Sequence, residues 1–237
     1  EHFLFASIQD EWRVSDNFNA VIGLRYDDYE AFGSVFTPRV SLIWNTTPKL
    51  TTKLIYGSGY RAPTANERFF RNNPVTIGNE NIKPEEIDTY EISFDYQWHE
   101  NFITQTTLFK YDAKELIEYI FSQDTNGNVA QNIGEQTGKG FELSVKWQLL
   151  QQLNIEANYA FIDAQNTAND DVPDIANKQT FIAVNWSPAE NWHFHFRQNH
   201  IADRLRSKID TRANIDDYTV SFAKVQYSDL TPGLNIS

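Results

Sequence analysis

Between Pro63 and Asn79 the sequence gathers Arg68, Phe69, Phe70, Arg71 and Asn72, with Arg61 just ahead of them. These residue types could hold an anion on a flat scaffold. Arginine makes planar, bidentate contacts to anionic oxygens, and aromatic rings stack on planar ligands and on cations. That is binding chemistry, with no bond made or broken. The same residues also suit an ordinary solvated loop. Other groupings reach less far. His193 and His195 share one strand face and could ligate a metal, but the pattern supplies no third ligand. Asp124, Asn126, Asn128 and Glu135 imitate a calcium loop, yet Val129 stands where a glycine is needed, so a plain turn is expected. Asp27, Asp28 and Glu30 are expected to be solvated carboxylates at a strand end. There is no nucleophile elbow, phosphate loop or zinc motif. The sequence therefore offers no catalytic set, and it calls for no cofactor or metal.

Two motifs flank the candidate loop. Tyr60-Arg61-Ala62-Pro63 ends an outgoing strand, and Gly78-Asn79-Glu80-Asn81-Ile82-Lys83-Pro84-Glu85 precedes a returning one. In the outgoing strand Leu50, Thr52, Leu54, Tyr56, Ser58 and Tyr60 alternate with Thr51, Lys53, Ile55, Gly57, Gly59 and Arg61. Pro63 removes a donor and pushes Ala62 towards extended geometry, which stops the ladder. In the returning strand Tyr90, Ile92, Phe94, Tyr96 and Trp98 share one face, and Thr89, Glu91, Ser93, Asp95 and Gln97 share the other.

The same period-two pattern recurs along all 237 residues and predicts about eleven strands, with another beginning near Leu234. Alternation is blurred from Thr106 to Tyr111, where a bulge is expected. The strands follow one another as hairpins, and the connections are expected to alternate between short and long. Trp12, Trp44, Trp98, Trp147, Trp186 and Trp192 each lie within a few residues of a short turn. A soluble core would scatter tryptophan along strand middles, whereas a membrane interface collects it at one end. The expected fold is thus all-β, an antiparallel transmembrane β-barrel segment with its aromatic face towards lipid.

Bulk properties agree with this reading. No run of eighteen apolar residues exists, so no transmembrane helix is expected. A mean hydropathy of -0.53 does not oppose a barrel, because lumen-facing residues dilute the lipid-facing ones. A net charge of -12 argues against nucleic acid as a partner. The chain has no Cys, no Met and no leader, and it starts mid-strand, so it is expected to be an internal fragment.

The stretch Phe36-Thr37-Pro38-Arg39-Val40-Ser41-Leu42 and the two motifs above, with Tyr90-Glu91 and Gly138-Lys139-Gly140-Phe141-Glu142, resemble the barrels of TonB-dependent outer-membrane receptors. The resemblance covers the whole chain. It implies one partial barrel domain, 1–237, holding about 11–12 strands, roughly the tenth to the twenty-first, of a 22-stranded barrel whose plug lies elsewhere. It implies a location in the outer membrane of a Gram-negative bacterium, against lipid, and coupling to the TonB complex through the plug. It further implies import of a ferric siderophore, haem or cobalamin. Tyr60, Arg61, Ala62, Pro63, Asn79, Glu80, Asn81 and Ile82 match the family motif. Related haem receptors place a His between the two boxes, and none stands there, which favours a ferric catecholate whose charge and rings suit Arg61, Arg68, Phe69, Phe70, Arg71 and Asn72. A passive porin and a secreted β-sheet binding protein are the competing readings. Ile92→Arg or Phe94→Arg on the lipid face should cost ~2–4 kcal/mol near the midplane, and Ser93→Arg on the lumen face should cost little.

Overall fold

The computed structural model describes residues 2–71, 76–207, 210–231 and 234–236. Its strands are β1 (Phe3–Ser15), β2 (Phe18–Tyr29), β3 (Gly33–Thr47), β4 (Leu50–Arg61), β5 (Thr76–Ile77), β6 (Glu85–His99) and β7 (Phe102–Ser122). Then come β8 (Gly127–Leu150), β9 (Leu153–Asn166), β10 (Ala176–Ala189), β11 (Trp192–Arg204), β12 (Tyr218–Thr231) and β13 (Leu234–Ile236), with one helical turn, α1 (Ala65–Phe69). Apart from β5, every strand pairs antiparallel with its neighbours in sequence, giving a single meander; β5 joins β8 in parallel.

Among the described residues, five hairpins close through two-residue turns, at 16–17, 48–49, 100–101, 151–152 and 190–191. Each carries a register shift beside its turn, at Arg13/Ser15, Asn45/Thr47, Gln97/His99, Gln148/Leu150 and Trp186/Ala189. An extra residue there adds twist and lets so short a turn join two strongly twisted strands. The expected alternation of short and long connections holds less strictly at the other end. The links 30–32 and 123–126 are brief, whereas 62–84, 167–175 and 205–217 are long. At 123–126 the length has moved into the strands: β7 and β8 run for 21 and 24 residues, about twice the ~10 that span a bilayer.

The cross-strand register puts all six tryptophans on one face, because directly paired residues share a face. Trp12 opposes Ala20, which opposes Leu42, next but one to Trp44. Trp44 opposes Thr52, then Phe94, two strides from Trp98; Phe102 opposes Trp147, and Ile155, Leu153, Trp186 and Phe194 lead to Trp192. All six lie at the two-residue-turn end and are 38–52% exposed. The same face exposes Leu54, Tyr90, Leu108, Phe141, Leu143 and Phe196. The buried apolar residues are mostly small: Ala20, Val35, Ile82, Ala113, Ala130, Ala164, Ala183 and Ala202. A face this apolar and this open is stable only against hydrocarbon. The opposite face carries Arg39, Lys53, Glu91, Ser93, Asp95, Glu142 and Glu156.

Two local expectations change. The ladder from Thr106 to Tyr111 is regular, and the break lies further on, at Ala113/Leu116 and Leu116/Ile117, where Glu115 takes a φ of 56°. The alternation is blurred because Phe109 and Tyr111 lie on the polar face opposite Gly140 and Gly138. A Cβ on Gly138 would fall 2.2 Å from the Tyr111 ring, so glycine makes room for the aromatic. Ser93, expected to tolerate arginine, is 3% exposed and its Oγ contacts the Thr107 hydroxyl at 3.2 Å. Arginine there would displace Thr107 and Gln105. The open polar-face position in that row is Glu142, opposite Thr107. Leu143→Arg should therefore cost ~2–4 kcal/mol and Glu142→Arg ~0–1 kcal/mol, read by guanidinium unfolding of the receptor in lipid vesicles. Equal costs would mean that both faces pack against protein.

Candidate functional site

The two motifs meet above the β4–β6 ladder. Arg61 ends β4 opposite Glu85, the first residue of β6. Its guanidinium holds Glu85 through Nε and one terminal nitrogen, both at 2.6 Å. It also holds Glu67 through both terminal nitrogens, at 3.0 and 2.9 Å. Two bidentate pairs tie the strand end, the loop helix and the returning strand into one knot. Glu85 also accepts from the Ile117 amide at 2.9 Å, which adds β7. Arg61 is thus a fastener at the base of the loop.

α1 was not legible as a helix in the hydrophobic pattern, but its start signal was present in Thr64-Ala65-Asn66-Glu67. This is a capping box: the Thr64 hydroxyl accepts from the Glu67 amide at 3.2 Å and the Glu67 carboxylate accepts from the Thr64 amide at 2.7 Å. Pro63 sits just ahead of the cap. Arg61 and these Thr64 donors hold the Glu67 carboxyl below the usual carboxylate range, Arg61 foremost, against the opposing effect of burial.

The second motif closes over the helix. The Gly78 amide donates to the Phe70 carbonyl at 2.8 Å and the Asn79 amide to the Glu67 carbonyl at 2.9 Å. A Cβ on Gly78 would stand 2.7 Å from backbone atoms of Arg68, Phe69 and Phe70, so no larger residue fits. The Asn79 side chain donates to the Ala130 carbonyl at 3.0 Å, and its Oδ1 accepts from the Asn81 amide. Ile82 is 2% exposed. Asn132 of β8 brackets Lys83, accepting from its amide at 2.8 Å and donating to its carbonyl at 2.9 Å. The motif therefore clamps the loop to the tall β7–β8 hairpin.

The remaining candidates divide by burial. Arg68 is 8% exposed. It donates to the Ala31 and Glu80 carbonyls and lies over the Phe69 ring at 4.6 Å and the Phe32 ring at 6.0 Å. It pins α1 to the β2–β3 corner. Phe69 and Phe70 are 45% and 39% exposed, and Arg71 is open to solvent beside Glu80, its ion-pair partner. Asn72 lies outside the described residues. Ala62 and Pro63 carry the chain from β4 to the cap. Tyr60 reaches the other way, its hydroxyl 2.8 Å from that of Tyr29.

Sequence reasoning missed the group around Tyr60. Asp27 is fully buried, held by Arg25 through two hydrogen bonds of 2.7 Å, and so is not the solvated carboxylate expected. Its cover arrives from distant strands, and an Arg-x-Asp pair on one strand face was the available signal. Elsewhere, His193 meets Ser187 at 2.9 Å and His195 meets Asn185 at 2.6 Å. The apolar hollow between Leu42, Leu54, Tyr56, Tyr90, Ile92 and Leu108 lies on the tryptophan-bearing face, away from the loop.

The knot makes two tests. Gly78→Ala should destabilise the loop by about 1–3 kcal/mol, because backbone would have to yield. Glu67 is stabilising as an anion, and its folded pKa is depressed, so its contribution is present above the ordinary carboxylate value and fades as pH falls through the lowered one. Relative to the intrinsic exchange rate at each pH, amide protection at 67–71 and 76–79 should fall in acid for the native chain. In Glu67→Gln that fall should be smaller and protection at neutral pH already lower.

Comparison with known proteins follows this geometry. The family model described as TonB dependent receptor-like, beta-barrel, matches residues 4–237. The vitamin B12 transporter BtuB of Vibrio cholerae is 30% identical over 143 residues, covering 60% of this chain and 22% of that protein. The iron-regulated outer membrane virulence protein of Vibrio cholerae is 33% identical over 115 residues, 46% of this chain and 18% of that one. A crystal structure of a variant of the ferric enterobactin receptor PfeA from Pseudomonas aeruginosa superposes with a TM-score of 0.82 at 17% identity, over 98% of this chain and 38% of that one. The matched stretches thus span about a fifth of the length of these two curated relatives. An antiparallel strand meander with a lipid-type face, short turns at one end and a family match over nearly its whole length lead to one assignment: the chain belongs to the TonB-dependent receptor family and is β-barrel of the Gram-negative outer membrane.

Proposed function

We propose that residues 1–237 form one stretch of the barrel domain of a receptor that imports a ferric siderophore, a catecholate, with energy delivered by the TonB complex through a plug domain. The observation that carries this reading is the division of labour in the loop. Arg61, Arg68 and the Gly78–Ile82 motif fix the backbone, and Phe69, Phe70 and Arg71 are left facing outwards on it. A fixed loop presenting two rings and a guanidinium is preorganised for a planar, anionic chelate. The Arg71–Glu80 pair is exposed on both sides, and such a pair contributes little, so Arg71 can exchange Glu80 for a ligand oxygen. Below it, a hollow of about 580 Å3 is bordered by Arg71, Ile77, Asn79, Glu80, Thr125 and Val129. The function is binding and passage, with no covalent step. A second reading, cobalamin, has the support of the identity to a vitamin B12 transporter.

The test is growth of an iron-starved, receptor-deficient strain rescued by the full-length receptor containing this chain. Ferric catecholates, ferric hydroxamates and haem are supplied in turn as iron sources, and cobalamin is supplied separately to a receptor-deficient strain whose growth depends on cobalamin uptake. Rescue is expected with a catecholate, and the combined Phe69→Ala, Phe70→Ala and Arg71→Ala variant should lose it while inserting normally. Arg68→Ala should instead lower the yield of folded barrel. Rescue by cobalamin or haem alone would overturn the ligand, and rescue by none would favour a passive pore.

A further inference from the structure

The lipid-facing side carries a belt of rings at its outer edge, and the belt is interrupted at β10–β12. Six residues along the strand from Phe102, Trp147 and Leu153, this face holds Leu108, Phe141 and Tyr159. Tyr56 takes the same level on β4, and Tyr26, Phe36, Tyr90 and Phe161 stand two residues higher on their strands. Lys110, Lys139 and Lys178 share that higher level and mark the outer boundary of the hydrocarbon. On β10, β11 and β12 the lower level is held instead by Thr180, Gln198 and Ser221, six residues from Trp186, Trp192 and Tyr227. At the usual strand rise and tilt that is about 15 Å of height, inside an apolar band about 25 Å tall.

The register makes these residues one island. Thr180 opposes Tyr159 on one side and His200 on the other, His200 opposes Thr219, and Gln198 lies between Ile182 and Ser221. The β11–β12 ladder is unbroken from Trp192–Tyr227 to Ile201–Tyr218, so no bulge turns these side chains inwards. Their face follows from that register, whatever strand lies beyond β12. The bulky apolar residues of the same strand ends, Phe181, Ile201, Val220 and Phe222, lie on the lumen side. The island is neutral and only partly satisfied. Lys178 at its rim pairs with Asp203 at 2.6 Å, and His200 meets Thr219 at 2.9 Å. Gln198 gives one N–H to Ser221 at 3.3 Å, and among the described residues its carbonyl oxygen and second N–H take no partner. A half-bonded amide facing hydrocarbon is costly.

We infer that this island is the contact face through which a second copy of the receptor docks in the plane of the membrane. Copies in one membrane share one orientation, so a two-fold axis along the membrane normal sets each level against the same level. A carboxamide is its own complement: the carbonyl of one Gln198 accepts from the N–H of the other, and the Thr180 and Ser221 hydroxyls both donate and accept beside it. Lipid tails offer no such partner, and a different protein would need a matching polar patch at the same depth. The missing rings fit the same role. Short side chains let two sheets approach closely, as small residues do between membrane helices. The inference is independent of which ligand the receptor imports.

The experiment uses the full-length receptor in native outer membranes. With a short bifunctional maleimide, Gln198→Cys should yield paired barrels, and Leu143→Cys, on the same face of β8, should not. Thr180→Val with Gln198→Leu and Ser221→Ala suits lipid and keeps the barrel folded; its dimer association, read by sedimentation in mild detergent, should weaken roughly tenfold, the worth of about two polar pairs. Gln198→Glu and Gln198→Lys should each separate the copies by setting like charges together, and the two variants coexpressed should pair again. A native receptor that is monomeric at every density, equal crosslinking from both cysteine positions, a dimer that survives in the apolar variant, or no recovery by the coexpressed pair would overturn the inference. So would reaction of Gln198→Cys with a water-soluble maleimide that is equally fast at low and high receptor density, because the island would then face water.

Discussion

In the hydrocarbon of a bilayer no water is available to a peptide group, so each N–H and C=O must find its partner within the protein. That constraint explains the continuous antiparallel ladder from β1 to β13, and the ladder in turn fixes everything else. Its period of two sends side chains alternately to lipid and lumen. Its continuity lets the chain leave the membrane only at turns, either tight ones at one end or elaborated ones at the other. Its lack of a conventional core explains why so many large apolar residues are open and why the buried apolar set consists mostly of alanines.

Function is relieved of that constraint only where the strands rise beyond the bilayer. There the β4–β6 connection spends charges that the membrane would not tolerate. Arg61 gathers two carboxylates, a capping box starts a single helical turn, and Gly78 and Asn79 lock it against the β7–β8 hairpin. The residues most conspicuous for binding in the sequence thereby separate into two kinds. Arg61 and Arg68 hold the loop's shape, and Phe69, Phe70 and Arg71 occupy its surface. Type alone does not distinguish an arginine that binds a ligand from one that binds its own chain; its partners do.

The strands were largely legible because lipid on one side and polar lumen on the other impose alternation over a dozen residues at a time, and because the tryptophans mark one end. What escaped the sequence came from contacts across long separations. Asp27 lies beside Tyr60 only when β2 and β4 converge, and Arg68 is buried because Ala31 lies above it, 37 residues away. The burial of Ser93 likewise depends on Thr107, on the neighbouring strand. The Thr64–Glu67 box was local and readable, but five helical residues leave no hydrophobic period to draw attention to it. The blur before Tyr111 had a local cause too, glycines on the facing strand that admit rings on the polar side.

The placement of the six tryptophans has an optical consequence. β6 alone runs 15 residues from Glu85 at the knot to the turn beyond Trp98, a climb of about 45 Å at the usual strand rise. All the indole emission of this stretch therefore originates at one membrane boundary, and the summit that bears the knot contributes no indole signal. Intrinsic fluorescence would follow insertion depth and the polarity of the inner boundary. A single indole placed at the summit would be a probe seen against no nearby competitor.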